Sequence, residues 1–132
     1  MPDLEAVIDE HVRGNDLDVI RTVTVIPSGQ TVAEAWLRVD EITPPGTEVF
    51  SKHITPTLVA GEGQIEDDGS VDGIAILRFE ITHANSLLLD PAGTVAAPKA
   101  HPYAIQIKTS GGKIYEFEQG VINCIDEIVV AA

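Results

Sequence analysis

Tyr103-Ala104-Ile105-Gln106-Ile107-Lys108, followed by Ser110-Gly111-Gly112, is the stretch that fixes the fold class. Bulky apolar residues fall on every other position, and side chains of a strand point to alternate faces. Tyr103, Ile105 and Ile107 therefore share one buried face. Gly111-Gly112 supplies the positive φ angles of a tight hairpin, and Lys113 to Asn123 returns antiparallel. Upstream, Gly73 to Thr82 reads as another strand of the same kind. The stretch from Gly73 to Asn123 is thus two or three strands with a turn-rich crossing between them.

The pattern extends towards the N-terminus. Val19 to Ile26 is rich in β-branched residues and stops at Pro27-Ser28-Gly29-Gln30, a strand followed by a turn. Val32 to Asp40 alternates Ala33, Ala35, Leu37 and Val39 against Glu34, Trp36, Arg38 and Asp40. The apolar set faces inward, which leaves Trp36, the single tryptophan, on the charged face. Thr43-Pro44-Pro45-Gly46 is a turn by composition. Glu48 to Thr55 reads as a strand, and residues 58–65 as a short one interrupted by glycine. Residues 66–73 read as an acidic turn. Residues 82–89 read as a single helical turn whose Leu87 and Leu88 plug one end of the core. The Pro- and Ala-rich residues 90–102 form the longest structureless stretch, of the kind that binds something. Ile125 to Val130 reads as a last strand or a tail leading to a neighbour.

The first segment differs. Leu4, Val7, Ile8 and Val12 recur at helical spacing, Asp3 can cap the start and Gly14 the end. We therefore expect residues 1–15 to form a helix or arm, docked on the sandwich or on a neighbouring subunit, and residues 16–132 to form the β-domain. Seven or eight short strands, turn signals about every 8–12 residues and no long helical pattern define an all-β antiparallel sandwich.

Composition narrows function more than it defines it. The 132 residues carry 21 acidic and 8 basic side chains, a formal charge of −13. That balance opposes binding to phosphate backbones, and the few Lys and Arg are scattered, so no nucleic-acid partner is expected. No apolar run is long enough to cross a bilayer, nothing resembles a signal peptide, and a cytoplasmic site of synthesis is expected. Cys124 is the single cysteine and lies in an apolar run with no His or Lys beside it, as a core thiol does.

Candidate chemistry is sparse. Asp68-Gly69-Ser70-Val71-Asp72-Gly73 opens like a calcium loop, but Phe79 stands where the bidentate Glu is required. His11, His53, His83 and His101 show no metal-ligand spacing. Ser51-Lys52-His53 and Thr82-His83 put hydroxyls next to imidazoles, yet neighbours in a strand point to opposite faces. Glu116 and Glu118 read as a solvated strand face. No catalytic residue, metal or cofactor is expected.

Taken together, several segments carry a resemblance. These are Thr31 to Val39, the strand near Ile74 to Ile81, the turn with Leu87-Leu88, Tyr103-Ala104-Ile105-Gln106-Ile107, Ser110-Gly111-Gly112-Lys113, and Tyr115 to Ile122 with its late Gly120. In strand order and turn placement this resembles the immunoglobulin-like domain at the N-terminus of phage baseplate upper proteins and related tail-fibre attachment proteins, over residues 17–125. The helix-like start, the 90–102 insert and the lack of a fibre region depart from that pattern. The resemblance implies a non-enzymatic structural protein of a tailed phage, made in the host cytoplasm and located in the virion. Its role there would be as an adaptor or attachment subunit of tail or baseplate. Expected partners are other virion proteins, in a homo-oligomer or multi-copy assembly, with no membrane involved. Interface residues would be Trp36 and Arg38 on their strand, Leu4 and Ile8 on the N-terminal segment, and Val95 and His101 in the long loop. A capsid decoration protein is the alternative, and a carbohydrate-binding sandwich, which needs several exposed aromatics, the second alternative.

Overall fold

The computed structural model describes residues 3–44, 46–91, 93–94 and 96–126; of the first twelve side chains it describes those of Ile8 and His11. Eight strands and one helical turn follow in chain order: β1 (Asp3–Val12), β2 (Leu17–Val23), β3 (Val32–Asp40), β4 (Glu48–Ile54), β5 (Gly63–Asp68), β6 (Ala75–Ile81), α1 (His83–Ser86), β7 (Lys99–Thr109) and β8 (Ile114–Ile125). They form a five-stranded sheet in the order β1-β8-β7-β3-β4 and a three-stranded sheet in the order β2-β6-β5. All pairings are antiparallel except β1 with β8, which is parallel. The expected all-β, immunoglobulin-like sandwich is the observed architecture.

The core lies between the sheets and is built by alternation. Tyr103, Ile105 and Ile107 of β7 and Ala35, Leu37 and Val39 of β3 are buried, facing Leu77, Phe79 and Ile81 of β6. Each buried aliphatic or aromatic side chain removes enough apolar area from water to contribute about 1.5–3 kcal/mol. The hairpin joining β7 to β8 turns through Gly112 at φ 85°, a conformation in which a Cβ would be strained. Gly63 starts β5 at φ 123°, and a Cβ there would stand 2.0 Å from the carbonyl oxygen of Arg78, so only glycine lets β5 approach β6.

Five expectations are corrected. The N-terminal segment is not a helix but strand β1, its residues Ala6, Val7 and Ile8 paired with Gly120, Val121 and Ile122. Its apolar spacing suited both periods, and a partner strand more than a hundred residues away decided between them. Glu66, Asp67 and Asp68 belong to β5 rather than to a turn. The long loop is shorter than its composition suggests, because β7 begins at Lys99. Pro102 is tolerated there because β7 pairs only with β8 until Tyr103, where β3 joins on its other side. Leu87 and Leu88 do not plug the core: they are 40% and 56% exposed, and Leu89 is the buried residue. The turn, capped by Thr82, directs Ser86 inward instead.

The fifth correction concerns Glu118. It is not on a solvated face but 5% exposed between the sheets. A register shift between Ile105 and Gln106 of β7 sets Ile105 opposite Glu118 and Gln106 opposite Glu116. Phe117 is therefore the extra residue of a bulge, which turns Glu118 to the opposite face from Glu116.

Candidate functional site

The outward surface of the five-stranded sheet gathers most of the polar residues that alternation keeps out of the core. β3 contributes Glu34, Trp36, Arg38 and Asp40, β4 contributes His53, and β7 contributes Gln106 and Lys108. Register brings them together: Trp36 lies between His53 and Gln106, and Glu34 lies opposite Lys108. The Trp36 and His53 rings stack with centroids 5.3 Å apart and planes 14° from parallel. His53 Nε2 is 2.9 Å from Glu34 Oε1, and Lys108 Nζ is 3.7 Å from Glu34 Oε2. Glu34 thus holds the imidazole that holds the indole. One ring face of Trp36 is occupied by this stack, which leaves the residue half-buried rather than free.

Arg38 lies next along β3. Its Nε donates to Asp40 Oδ1 at 2.6 Å, and its Nη2 donates to the carbonyl of Gly46 at 2.7 Å. The Asp40 carboxylate raises the pKa of the guanidinium, chiefly through this hydrogen bond. The surface therefore presents a fixed aromatic edge between two nitrogen–carboxylate pairs, His53 with Glu34 on one side and Arg38 with Asp40 on the other.

The remaining expected interface residues go elsewhere. His101 is 1% exposed, so it is a core residue and not a contact surface. Its Nδ1–H donates to the carbonyl of Asp40 at 3.0 Å and its Nε2 accepts the N–H of Asp90 at 2.9 Å, which ties the end of β3 to the start of the 90–98 connection. Ile8 packs against the core from β1. Leu4 belongs to β1 by its backbone, and its side chain lies outside what the structure describes. Val95, like Glu127 to Val130 of the expected tail, lies outside the described residues.

Two polar clusters escaped the sequence. In the first, Arg21 of β2 crosses between the sheets to Glu118, with Nε 2.8 and 2.9 Å from the two carboxylate oxygens, and Tyr103 donates its hydroxyl to Oε2. Burial, then the bond to Glu118, pushes the Tyr103 phenol up to about 12. In the second, His11 Nε2 lies 2.7 Å from Ser86 Oγ, which also accepts the N–H of Gly14 at 2.7 Å. An imidazole against a hydroxyl is the contact that activates a nucleophile. Here Ser86 is 0% exposed, and the pair fastens α1 to the end of β1. Burial lowers the pKa of His11, favouring the neutral ring in its contact with Ser86. These partners are 97 and 75 residues apart, and no local pattern announces either pair.

Other groups are turned inward on the fold. Cys124 is fully buried, and desolvation pushes its thiol up to about 11. The carboxylates of Asp67, Asp68 and Asp72 accept from the backbone N–H of Gly69, Ser70 and Ile74, closing their own turns. Among the described residues no three His, Cys, Asp or Glu side chains converge as metal ligands would. A cleft of about 340 Å³ between residues 26–31 and Gly69, Ser70 and Gly73 has no titratable side chain in its walls.

No family model matches this chain, and no curated protein matches it.

Proposed function

We propose that the chain is a non-enzymatic assembly subunit that docks another protein on the outward surface of its five-stranded sheet, around Trp36. The observation that carries this reading is the Trp36–His53–Glu34 stack flanked by Arg38 and Asp40. Interfaces draw their energy from a few aromatic and arginine anchors, and an anchor already held in place loses little side-chain freedom on binding. Strand addresses of this kind position residues more firmly than loops do. The setting we propose is the tail or baseplate of a tailed phage, with other virion proteins as partners; it rests on the strand-order resemblance set out above.

The test is Trp36→Ala. The variant is expected to fold, because the indole lies outside the core, and to lose its place in assembled particles. Unchanged incorporation of a folded variant would reject the reading. A capsid decoration protein is the second reading, favoured by the formal charge of −13 on a small domain. Copy number on a stained gel of purified particles separates the two, since a decoration subunit is far more abundant than a tail component.

A further inference from the structure

The two flanks of the sandwich are finished differently. On one flank, where β4 and β5 end their sheets, residues 55–62 close the edge. Ile65 N–H donates to Thr55 O at 2.8 Å and Val59 N–H to Gly63 O at 3.1 Å. The Glu62 carboxylate accepts the N–H of His53 at 3.2 Å, and Lys52 Nζ donates to Gly61 O at 2.6 Å. Capping exposed strand edges in this way prevents them from recruiting other strands.

On the other flank the edges belong to β1 and β2. β1 carries two register shifts in its pairing with β8. β2 pairs with β6 through seven consecutive residues without any shift, and no strand of the described residues lies on its other side. The direction of its backbone follows from β6. Glu80 N–H donates to Glu62 O on the β5 side, so Phe79 and Leu77 turn their backbone groups towards β2. Residues opposite one another in an antiparallel ladder either exchange both bonds or neither. Val19 and Arg21 are therefore bonded to β6, and Asp18, Ile20 and Thr22 turn their N–H and C=O groups outward. Arg21 Nη1 reaching the carbonyl of Ile20 at 2.9 Å agrees with that direction.

Among the described residues no strand lies beside β2 on this flank. The Arg21–Glu118 pair and Tyr103 set β2 beneath β8 and β7, so β1, one strand beyond β8, has no strand of the three-stranded sheet beneath it among the described residues. β2 contains no proline, lysine or bulge to discourage an incoming strand; the charge of Arg21 is met by Glu118, and of the outward carbonyls only that of Ile20 already accepts a bond, from Arg21, among the described residues.

We propose that β2 accepts an extended segment of a partner protein as a fourth strand of the three-stranded sheet, in the slot under β1. This surface is distinct from the Trp36 face and does not depend on it. Cross-strand pairing sets the chemistry of the occupant. Opposite Asp18, whose carboxylate has no hydrogen bond or ion pair among the described residues, a basic side chain fits a chain of charge −13. Opposite Ile20, which is 53% exposed, an apolar one fits. The intervening positions turn inward beside Leu17 and Val19 and are apolar. The occupant is thus an alternating apolar and basic segment without proline. A second copy joined β2 to β2 does not fit, because β1 of each copy would fall where β8 of the other lies.

The test is amide hydrogen exchange, followed by NMR, on the full chain. The probe is a synthetic peptide about nine residues long that alternates valine with lysine, and the control is the same peptide N-methylated at alternate residues. The expected result is slowing of exchange by about tenfold or more at Asp18, Ile20 and Thr22 with the probe and none with the control. Thr22→Pro removes an outward N–H and leaves the β2–β6 ladder intact, so it is expected to fold and to abolish the slowing at Ile20. Three results overturn the proposal. One is no slowing in the unsubstituted chain; another is equal slowing by the methylated peptide, which is charge attraction alone. The third is slow exchange at these amides in the protein by itself, which means that its own residues already cover the edge.

Discussion

Two arginine–carboxylate pairs of similar geometry lie on opposite sides of the five-stranded sheet. Arg21 meets Glu118 at 2.8 Å between the sheets, where the Glu118 side chain is 7% exposed. Arg38 meets Asp40 at 2.6 Å on the outward surface, where the Arg38 side chain is 47% exposed. The chemistry is the same and the consequence is not. Between the sheets Glu118 has lost its water and depends on a partner, while Arg21 reaches it from a side chain that stays 26% exposed, so the pair acts as a crosslink between the sheets. On the surface, water replaces either partner, and the pair serves to aim a guanidinium. What separates the two is the bulge at Phe117, which decides which face a carboxylate takes.

Breaking the inner pair gives the largest expected effect. Glu118→Ala leaves a partly exposed Arg21 without its counter-charge and the Tyr103 hydroxyl without its acceptor, and lowers the unfolding free energy by about 3 kcal/mol, measured by urea denaturation. A loss no larger than that of a surface substitution would erase the contrast. Tyr103→Phe removes one hydrogen bond to the same carboxylate and is expected to cost about 1.5–3 kcal/mol. It also carries a pH signature. The Tyr103 phenol is raised from its ordinary 10.0 to about 12 in the folded protein, so between these values the folded state holds a proton that the unfolded state has released. Stability then falls as pH rises through that window. Thermal melts from pH 9 to 12 are expected to show this fall in the unsubstituted protein and less of it in Tyr103→Phe; parallel curves would deny the coupling. The smallest effect on stability belongs to Arg38→Ala, whose denaturation midpoint is expected to match that of the unsubstituted protein. A clear shift would show that the outward pair is a crosslink too. Its effect belongs in partner binding, beside that of Trp36→Ala.

The same contrast explains how much could be read from the residues alone. β3 and β7 were legible because Leu37, Val39, Ile105 and Ile107 repeat with period two and the turn glycines mark where the chain reverses. Trp36 was legible for the same reason, by being on the other parity. Glu118 was not, since one bulged residue inverts the parity of everything after it. Nor was β1: a parallel partner at the far end of the chain leaves no local mark, and the spacing of Leu4, Ile8 and Val12 suits a helix equally well. His101 reads as a loop residue because Pro98 and Pro102 surround it. The fact that only β8 flanks this part of β7 is a property of the assembled sheet.

The parallel pairing of β1 with β8 has a mechanical corollary. Asp3 is level with Glu118, and Val12 with Ile125, so β1 and β8 run in the same direction side by side. A load drawing Asp3 and Ile125 apart would slide the two strands lengthwise, stressing all the rungs between them together rather than peeling them one at a time. Pulled in that direction, the domain is held by its β1–β8 ladder in shear, the loading geometry in which hydrogen bonds share force and resist tearing best.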